Sequence, residues 1–238
     1  MHTTIPQAFA EAVRRDPSTP LLTWYDDATG DRTELSGATL DNWVSKTANL
    51  LIDGVALGPG DLVAVLLPPH WQTAAILLGA AAAGMPAATE NDLPVAVEAL
   101  FTTPDRADRV AAWGNGEKYA TGLLPFAMPL RELPPGFVDY VTEVRNFGDF
   151  FRGQPISPDD EALTDQSHRS VLEYAAERAA QLGIKPGDRV LIDAGTYPDP
   201  IDWLFAPLVT GASIVLCGNL DESKTESRAA SEKVTVVV

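Results

Sequence analysis

The chain contains one sequence pattern twice, and this repeat constrains its fold more than any other feature. Residues 55–67 read V-A-L-G-P-G-D-L-V-A-V-L-L, and residues 182–192 read L-G-I-K-P-G-D-R-V-L-I. A shift of 127 positions superposes the two P-G-D motifs, and the register holds without a gap from residues 48–84 to residues 175–211. A repeat of this length can bury its helices only against a neighbouring copy, which predicts two related units.

Each copy has the pattern helix, turn, strand, helix, turn and strand. Residues 62–67 form a continuous apolar run of strand length, typical of a parallel strand that is covered on both faces. Gly84 and Gly211 are placed to end the second helix of each copy. Helices and strands that alternate through short turns predict parallel sheets, so the fold class is α/β with two duplicated lobes flanked by helices.

The repeat also suggests domain boundaries. We expect a first α/β lobe over 1–92, which includes an N-terminal helix and a hairpin, and a second, repeated lobe over 161–238. The segment 93–160 is less regular, and we expect it to connect the lobes and contribute to them. The final V-T-V-V-V (234–238) predicts a strand with little after it to cover it.

Local patterns predict the individual elements. The predicted helices cover 5–15, the stretch after Ser36 to about 51, 72–83, 105–113, 167–181 and 203–209. The predicted strands cover 21–25 and 32–35 as a hairpin, 62–67, 85–89, 96–103, 190–192 and 213–217. The Pro-rich segment 125–136 predicts extended chain, 137–145 fits both periods, and 219–233 predicts a loop, a helix or a mobile stretch.

Composition limits the partners and the compartment. The net charge of −16 repels phosphate backbones and anionic lipids, so we expect neither nucleic acid nor membrane as a partner. The N-terminus lacks the cationic segment of a secretory signal, and the longest apolar run, 73–88, is too short and too interrupted to span a bilayer. A single cysteine, Cys217, excludes an intrachain disulfide framework. We therefore expect a cytoplasmic protein.

Both copies resemble a known family. The first copy, L-S-G-A-T-L-D-N-W-V-S-K-T-A-N-L-L followed by G-V-A-L-G-P-G-D-L-V-A-V-L-L, is similar to the N-terminal region of adenylate-forming enzymes. These are the acyl-CoA synthetases, the luciferases and the adenylation domains of peptide synthetases. The second copy, G-I-K-P-G-D-R-V-L-I followed by A-P-L-V-T-G-A-S-I-V-L, resembles their next lobe. The resemblance covers most of the chain and implies the family's paired α/β subdomains.

The resemblance also implies a chemistry that this chain lacks. Family members activate a carboxylate with ATP, and a Gly/Ser/Thr-rich loop that ends in lysine holds the phosphates with its backbone N–H groups. That loop belongs between an acidic D-D-x-A stretch and the helix of the second copy. Here residues 159–170 read D-D-E-A-L-T-D-Q-S-H-R-S, with no glycine and no lysine. The chain therefore resembles a truncated N-terminal part of the family without its phosphate loop.

Two further departures leave no family catalytic residue to carry over. Where members often have an aromatic residue and a histidine after the strand, this chain has Tyr197-Pro198. The family segments for adenine, ribose, the metal-binding acid and the C-terminal lysine have no counterpart in these residues. The three histidines, His2, His70 and His168, are scattered and form no metal-ligand spacing. We therefore expect no catalytic residue, no metal site and no cofactor.

The candidate ligand-binding residues follow strands or begin helices. Tyr197, Asp199 and Trp203 lie beyond the carboxyl end of a strand, where parallel sheets bind ligands. His70 and Trp71 lie at a strand-to-helix turn, where they are also explained as a packing pair. Asp165, Ser167, His168 and Ser170 could suggest a nucleophile set, but helix capping accounts for Asp165 and Ser167 without chemistry.

We expect a non-catalytic domain that binds a small acyl or aryl compound, a nucleotide or a partner. One alternative is a subunit of an adenylate-forming ligase that is completed by another chain, or a divergent ligase. A second alternative is a degenerate remnant without a ligand. An unpaired strand edge at 234–238 would favour a homodimer or a partner chain.

Overall fold

The computed structural model describes residues 3–90, 92, 94–114 and 116–238, so His2 lies outside the described residues. Within them the chain is an α/β fold with two mostly parallel sheets flanked by helices, as the sequence predicts. None of the helices in the described ranges is long and apolar enough to cross a membrane.

The elements have the following bounds. The strands are β1 (Pro20–Asp26), β2 (Asp31–Ser36), β3 (Val63–Leu66), β4 (Ala87–Thr89), β5 (Ala99–Thr102), β6 (Glu117–Ala120), β7 (Val138–Asp139), β8 (Glu161–Leu163), β9 (Gln166–Ser167), β10 (Arg189–Asp193), β11 (Ser213–Gly218) and β12 (Val236–Val237). The α-helices are α1 (Ile5–Arg15), α2 (Gly37–Asn49), α3 (Trp71–Ala82), α4 (Tyr140–Val144), α5 (His168–Gln181), α6 (Ala206–Thr210) and α7 (Thr225–Ser231).

One compact unit contains a seven-stranded sheet and comprises Asp41–Leu67 and Ala75–His168. Its strand order is β7-β6-β5-β3-β4-β8-β9, and every neighbouring pair is parallel except β8 with β9. Phe101 on β5 stacks on Tyr119 and meets Tyr140 edge to face, with ring centroids 5.1 and 5.6 Å apart. All three rings are buried and belong to the core of this unit.

The other compact unit contains a five-stranded sheet and comprises the chain up to Leu40, Pro68–Ala74 and Arg169–Val238. Its strand order is β12-β10-β11-β1-β2, and only β2 runs antiparallel to its neighbour. Leu22, Trp203 and Phe205 are among its buried core side chains.

The two P-G-D turns have the same local geometry. Gly60 and Gly187 have φ angles of +91° and +83°, a region that glycine enters without steric cost. Oδ2 of Asp61 and of Asp188 each accepts a hydrogen bond from the backbone N–H three residues earlier, at 2.7 and 2.6 Å. Both carboxylates thus satisfy backbone donors of their own turns.

The sheets divide the chain differently from the boundaries at 92 and 160. The hairpin β1–β2 pairs with β11 of the five-stranded sheet, although the sequence groups it with the first copy. Segment 93–160 supplies β5, β6 and β7 of the seven-stranded sheet, and β8 and β9 belong to that same sheet. The difference arises because strand pairing between distant segments leaves no mark in the local pattern.

Several local predictions differ in type or extent. The predicted helix 105–113 is a 3₁₀ helix, Pro104–Trp113, and the predicted helix 203–209 begins with a π-helical turn, Ile201–Phe205, before α6. The segment that fits both periods contains both β7 and α4. Within the stretch 219–233 lie a 3₁₀ turn, Glu222–Lys224, and α7.

Candidate functional site

A tight turn occupies the place where the resemblance requires a phosphate loop. Strands β8 and β9 pair antiparallel around Thr164 and Asp165, with Leu163 opposite Gln166. The N–H of Asp165 donates to Oε1 of Glu161 at 2.7 Å, and the N–H of Thr164 donates to the carbonyl of Ala87 at 3.2 Å. These backbone donors are already used within the protein, so the turn offers no cradle for phosphate oxygens.

The electrostatics of this turn also disfavour a phosphate. Residues 159–170 contain four acidic side chains, no lysine and one arginine, Arg169. His168 is buried, and burial lowers its pKa to about 4 although the charge of Asp160 opposes the change. The imidazole is therefore neutral at pH 7, and the segment keeps a net negative charge, which repels a triphosphate.

The predicted residues after β10 form one loop and the helical turn that follows. Tyr197 is half-buried, and its N–H donates to the carbonyl of Asp193 at 3.0 Å. Oδ1 of Asp199 accepts the N–H of Ile201 at 2.8 Å and so caps the helical turn. The Trp203 side chain is only 1% exposed and lies in the core, and its buried Nε1 has no hydrogen-bond partner among the described atoms.

His70 and Trp71 are buried at the start of α3. The His70 ring packs edge to face on Trp24, with centroids 4.7 Å apart, and its Nδ1 accepts the N–H of Gln72 at 3.1 Å. Burial lowers the pKa of His70 to about 3, so this ring is neutral at physiological pH. The geometry is that of a helix-start packing pair, and Tyr197 and Asp199 are the more accessible of the five predicted residues.

The topology of the seven-stranded sheet creates a second location that the sequence did not reveal. The chain passes from β3 to its neighbour β4 and then returns to the other side of β3 to form β5. In open parallel sheets, ligands bind beyond the carboxyl ends of the two strands where the winding direction reverses. Leu66 and Thr102 are the last residues of β3 and β5, and they lie opposite each other.

A cavity of about 320 Å³ opens at this point, and we call it the switch-point cavity. Its described lining residues are Leu66, Glu90, Asp92, Pro94, Thr102, Arg106, Arg109, Val110 and Trp113. The volume lies at the lower end of the range for ligand pockets, roughly 300–1,000 Å³, so it suits a small molecule.

The 3₁₀ helix Pro104–Trp113 supplies four of the described lining residues. With three residues per turn, positions i and i+3 eclipse, so Arg106 aligns with Arg109 and Val110 with Trp113. Val110 and Trp113 are 2% and 6% exposed and pack in one apolar cluster with Leu66. The cavity therefore has an apolar floor and a charged rim.

The polar groups that line the cavity differ in whether they have hydrogen-bond or ion-pair partners. Arg106 forms an ion pair with Glu90, and Oδ2 of Asp92 accepts hydrogen bonds from the N–H and hydroxyl of Thr89 at 2.6 and 3.2 Å. Thr102 is fully buried, and its hydroxyl has no hydrogen-bond partner among the described atoms. The sequence contained a signal for this site, because polar residues follow both β4 and β5, but their convergence depends on the strand order.

The described residues contain no group of three or more His, Cys, Asp and Glu side chains that could hold a metal ion. Cys217 is buried, which raises its pKa to about 11, and its sulfur lies 3.3 Å from Nη1 of Arg228. A thiol in this state is a packing group rather than a nucleophile.

Comparisons with known proteins agree with the observed architecture. The sequence model of the family described as "AMP-binding enzyme" matches residues 9–102. A protein of Mycobacterium tuberculosis described as "TIGR03089 family protein" is 42% identical over 244 residues, which is 99% of this chain and 98% of the relative.

Solved structures show the same fold. An acyl-CoA synthetase of Brucella canis superposes with a TM-score of 0.73 at 18% identity, covering 97% of this chain and 46% of its own. The N-terminal domain of FACL13 from Mycobacterium tuberculosis has a TM-score of 0.69 at 14% identity, covering 100% of this chain and 62% of its own. The chain thus spans about half the length of the solved acyl-CoA synthetase, and at these identities the likeness concerns the fold alone.

Proposed function

Because the chain belongs to the TIGR03089 family and has the fold of the N-terminal half of AMP-binding enzymes, we propose that it is a non-adenylating domain that binds a small molecule. The turn at Thr164 and Asp165 carries this proposal. Adenylation requires backbone donors and a cation at the triphosphate. Here the donors are bonded to the protein, and the segment 159–170 has four acidic side chains against one arginine.

A pyrophosphate-release assay tests the first half of the proposal. The purified protein is incubated with ATP, Mg²⁺ and a panel of carboxylic acids, with an active acyl-CoA synthetase as positive control. We expect release no faster than in the control without enzyme. Release above that background, dependent on any acid of the panel, would refute the non-adenylating function.

The second half of the proposal is that the domain binds a ligand. Two accessible places favour it: the switch-point cavity, with an unsatisfied buried hydroxyl, and the loop at Tyr197 and Asp199. Thermal-shift screening against nucleotides, acyl-CoAs, acyl acids and aryl acids is the test. A ligand present at a hundred times its dissociation constant stabilises the folded state by about 2.7 kcal/mol.

A substitution at each of these two places then shows which of them binds the ligand. Arg109→Gln changes the rim of the switch-point cavity, and Tyr197→Ala changes the loop after β10; both residues lie outside the core. Loss of the thermal shift in one variant and not in the other assigns the site. A panel with no stabilising compound would instead favour a remnant without a ligand.

One observation favours the alternative of a subunit completed by another chain. Strand β12 is an edge strand of the five-stranded sheet, and Val237 on it is 53% exposed. An accessible strand edge can pair with a second chain. Light scattering tests this alternative: a dimer would support it, and a monomer at every accessible concentration would argue against self-association through β12.

A further inference from the structure

The buried hydroxyl of Thr102 marks the switch-point cavity as a place for a polar ligand group. Thr102 is the last residue of β5 and lines the cavity, and its fully buried hydroxyl has no hydrogen-bond partner among the described atoms. A hydroxyl that is buried without a partner costs roughly 1–3 kcal/mol, so a ligand group that bonds to it would recover part of that free energy. A ligand in the cavity would supply the missing partner.

The charges on the rim restrict what that ligand carries. Glu90 and Asp92 contribute two negative charges and Arg106 and Arg109 two positive charges, so the rim is neutral although the protein carries a net charge of −16. Arg106 is already paired with Glu90, whereas Arg109 is exposed and has no hydrogen bond or ion pair among the described residues. A purely anionic ligand would face two carboxylates, and a purely cationic ligand would face two guanidinium groups.

A ligand with one charge of each sign meets both halves of the rim favourably. Its carboxylate can accept hydrogen bonds from the Arg109 guanidinium and the Thr102 hydroxyl. Its ammonium group can lie against the carboxylates of Glu90 and Asp92. The apolar floor formed by Val110 and Trp113 then contacts an apolar body.

Building on the non-adenylating binding function, we propose that the switch-point cavity binds a compact zwitterion that has an ammonium group, a carboxylate and an apolar body. An α-amino acid with a branched side chain is the simplest molecule of this class. All the described residues that line the cavity belong to the seven-stranded unit, whereas Tyr197 and Asp199 belong to the other unit.

Three probes of matched shape test the proposal. L-Leucine carries both charges, 4-methylpentanoate lacks the ammonium group, and 3-methylbutylamine lacks the carboxylate. Titrations followed by amide chemical shifts give each affinity and show which residues respond. We expect leucine to bind about tenfold or more tightly than either singly charged probe, because each of those probes lacks one of the two favourable charge contacts with the rim.

Variants provide the matched controls. Arg109→Gln and Thr102→Val should each weaken leucine binding, by about tenfold and about fivefold respectively. Thr103→Val is the control, because its hydroxyl is also buried without a partner but does not line the cavity. We expect that variant to bind within about twofold of the parent protein. Arg109 is exposed, so Arg109→Gln keeps the test valid even if Thr102→Val unfolds.

The outcomes separate this inference from the proposed function. Equal affinity for 4-methylpentanoate and leucine overturns the zwitterion assignment. So does the absence of leucine binding when another compound still gives its thermal shift. Either result leaves the binding function intact. Acid-dependent release of pyrophosphate overturns the non-adenylating function whatever binds in the cavity.

Discussion

Acid should destabilise this protein through His70, and the size of the effect follows from burial. The ring is 2% exposed and packs on Trp24, and burial lowers its pKa from 6.5 to about 3. In the unfolded chain the imidazole recovers its ordinary pKa near 6.5. Between these two values the unfolded chain binds a proton that the folded protein does not.

The direction and magnitude of the effect are therefore fixed. The contribution of His70 to stability is complete above pH 6.5 and is lost as the pH falls toward 3, because the unfolded state is the more protonated one. Each pH unit in this window costs about 1.4 kcal/mol. At pH 5 the free energy of unfolding should be lower by about 2 kcal/mol from this residue alone.

The variant His70→Asn isolates this term. An asparagine keeps a side-chain acceptor for the N–H of Gln72, which Nδ1 of His70 accepts at 3.1 Å, but it does not titrate. Urea unfolding at pH 7.5 and at pH 5 gives the pH dependence of both proteins, and the contributions of the carboxylates cancel in the difference. The variant is expected to be less stable at pH 7.5, because it loses the ring contact, but to lose about 2 kcal/mol less on acidification.

Parallel pH dependence in the two proteins would refute the reasoning. It would mean that the imidazole takes up its proton in the folded state, which requires water or a negative partner at the ring. His168, whose pKa is lowered to about 4, contributes a similar term to both proteins and does not affect the comparison.

Three further predictions concern packing and charge. Asp27→Asn should lower the free energy of unfolding at pH 7 by about 3 kcal/mol, because the buried Arg228 loses its charged partner at 2.6 Å. Urea unfolding measures this change, and a loss below about 1 kcal/mol would contradict the prediction. Gly79→Ala should cost about 1–3 kcal/mol, since the added Cβ would come within 2.7 Å of the Cβ of Thr47; an unchanged melting temperature would show that α3 can shift without cost. Cys217 should resist iodoacetamide in the native protein and react after unfolding, since burial raises its pKa to about 11; mass spectrometry reports the modification, and rapid labelling of folded protein would argue against a closed core.

The turns, caps and hairpins could be predicted because the residues that determine them are close together in the sequence. The hairpin β1–β2, the capped start of α2 and both P-G-D turns follow from short sequence patterns. Oγ of Ser36, for example, accepts the N–H of Thr39 at 3.2 Å, as a helix cap does. Strand β7 and helix α4 were not separable, because residues 137–145 fit both periods and the tertiary environment decides between them.

The candidate site could be predicted only in part, because its geometry depends on strand order. Trp203 follows a strand, as a ligand residue would, yet the π-helical turn directs its side chain into the core. Thr102 and Arg109 stand out only once β5 is known to lie beside β3, which places them at the reversal of winding. A single sequence contains no signal for that crossover, so the switch-point cavity emerged from the structure.

The two-residue connection between β8 and β9 has a consequence for engineering. Asp165 is exposed at its tip with a φ of +60°, so the chain there is at the surface and conformationally strained. Closing a longer flexible loop costs only about 0.6 kcal/mol for each doubling of its length. This connection is therefore a tolerant point for inserting a glycine-rich, lysine-containing segment. A single insertion there lengthens the connection at little cost in stability, whereas no set of point substitutions within the two-residue turn adds backbone.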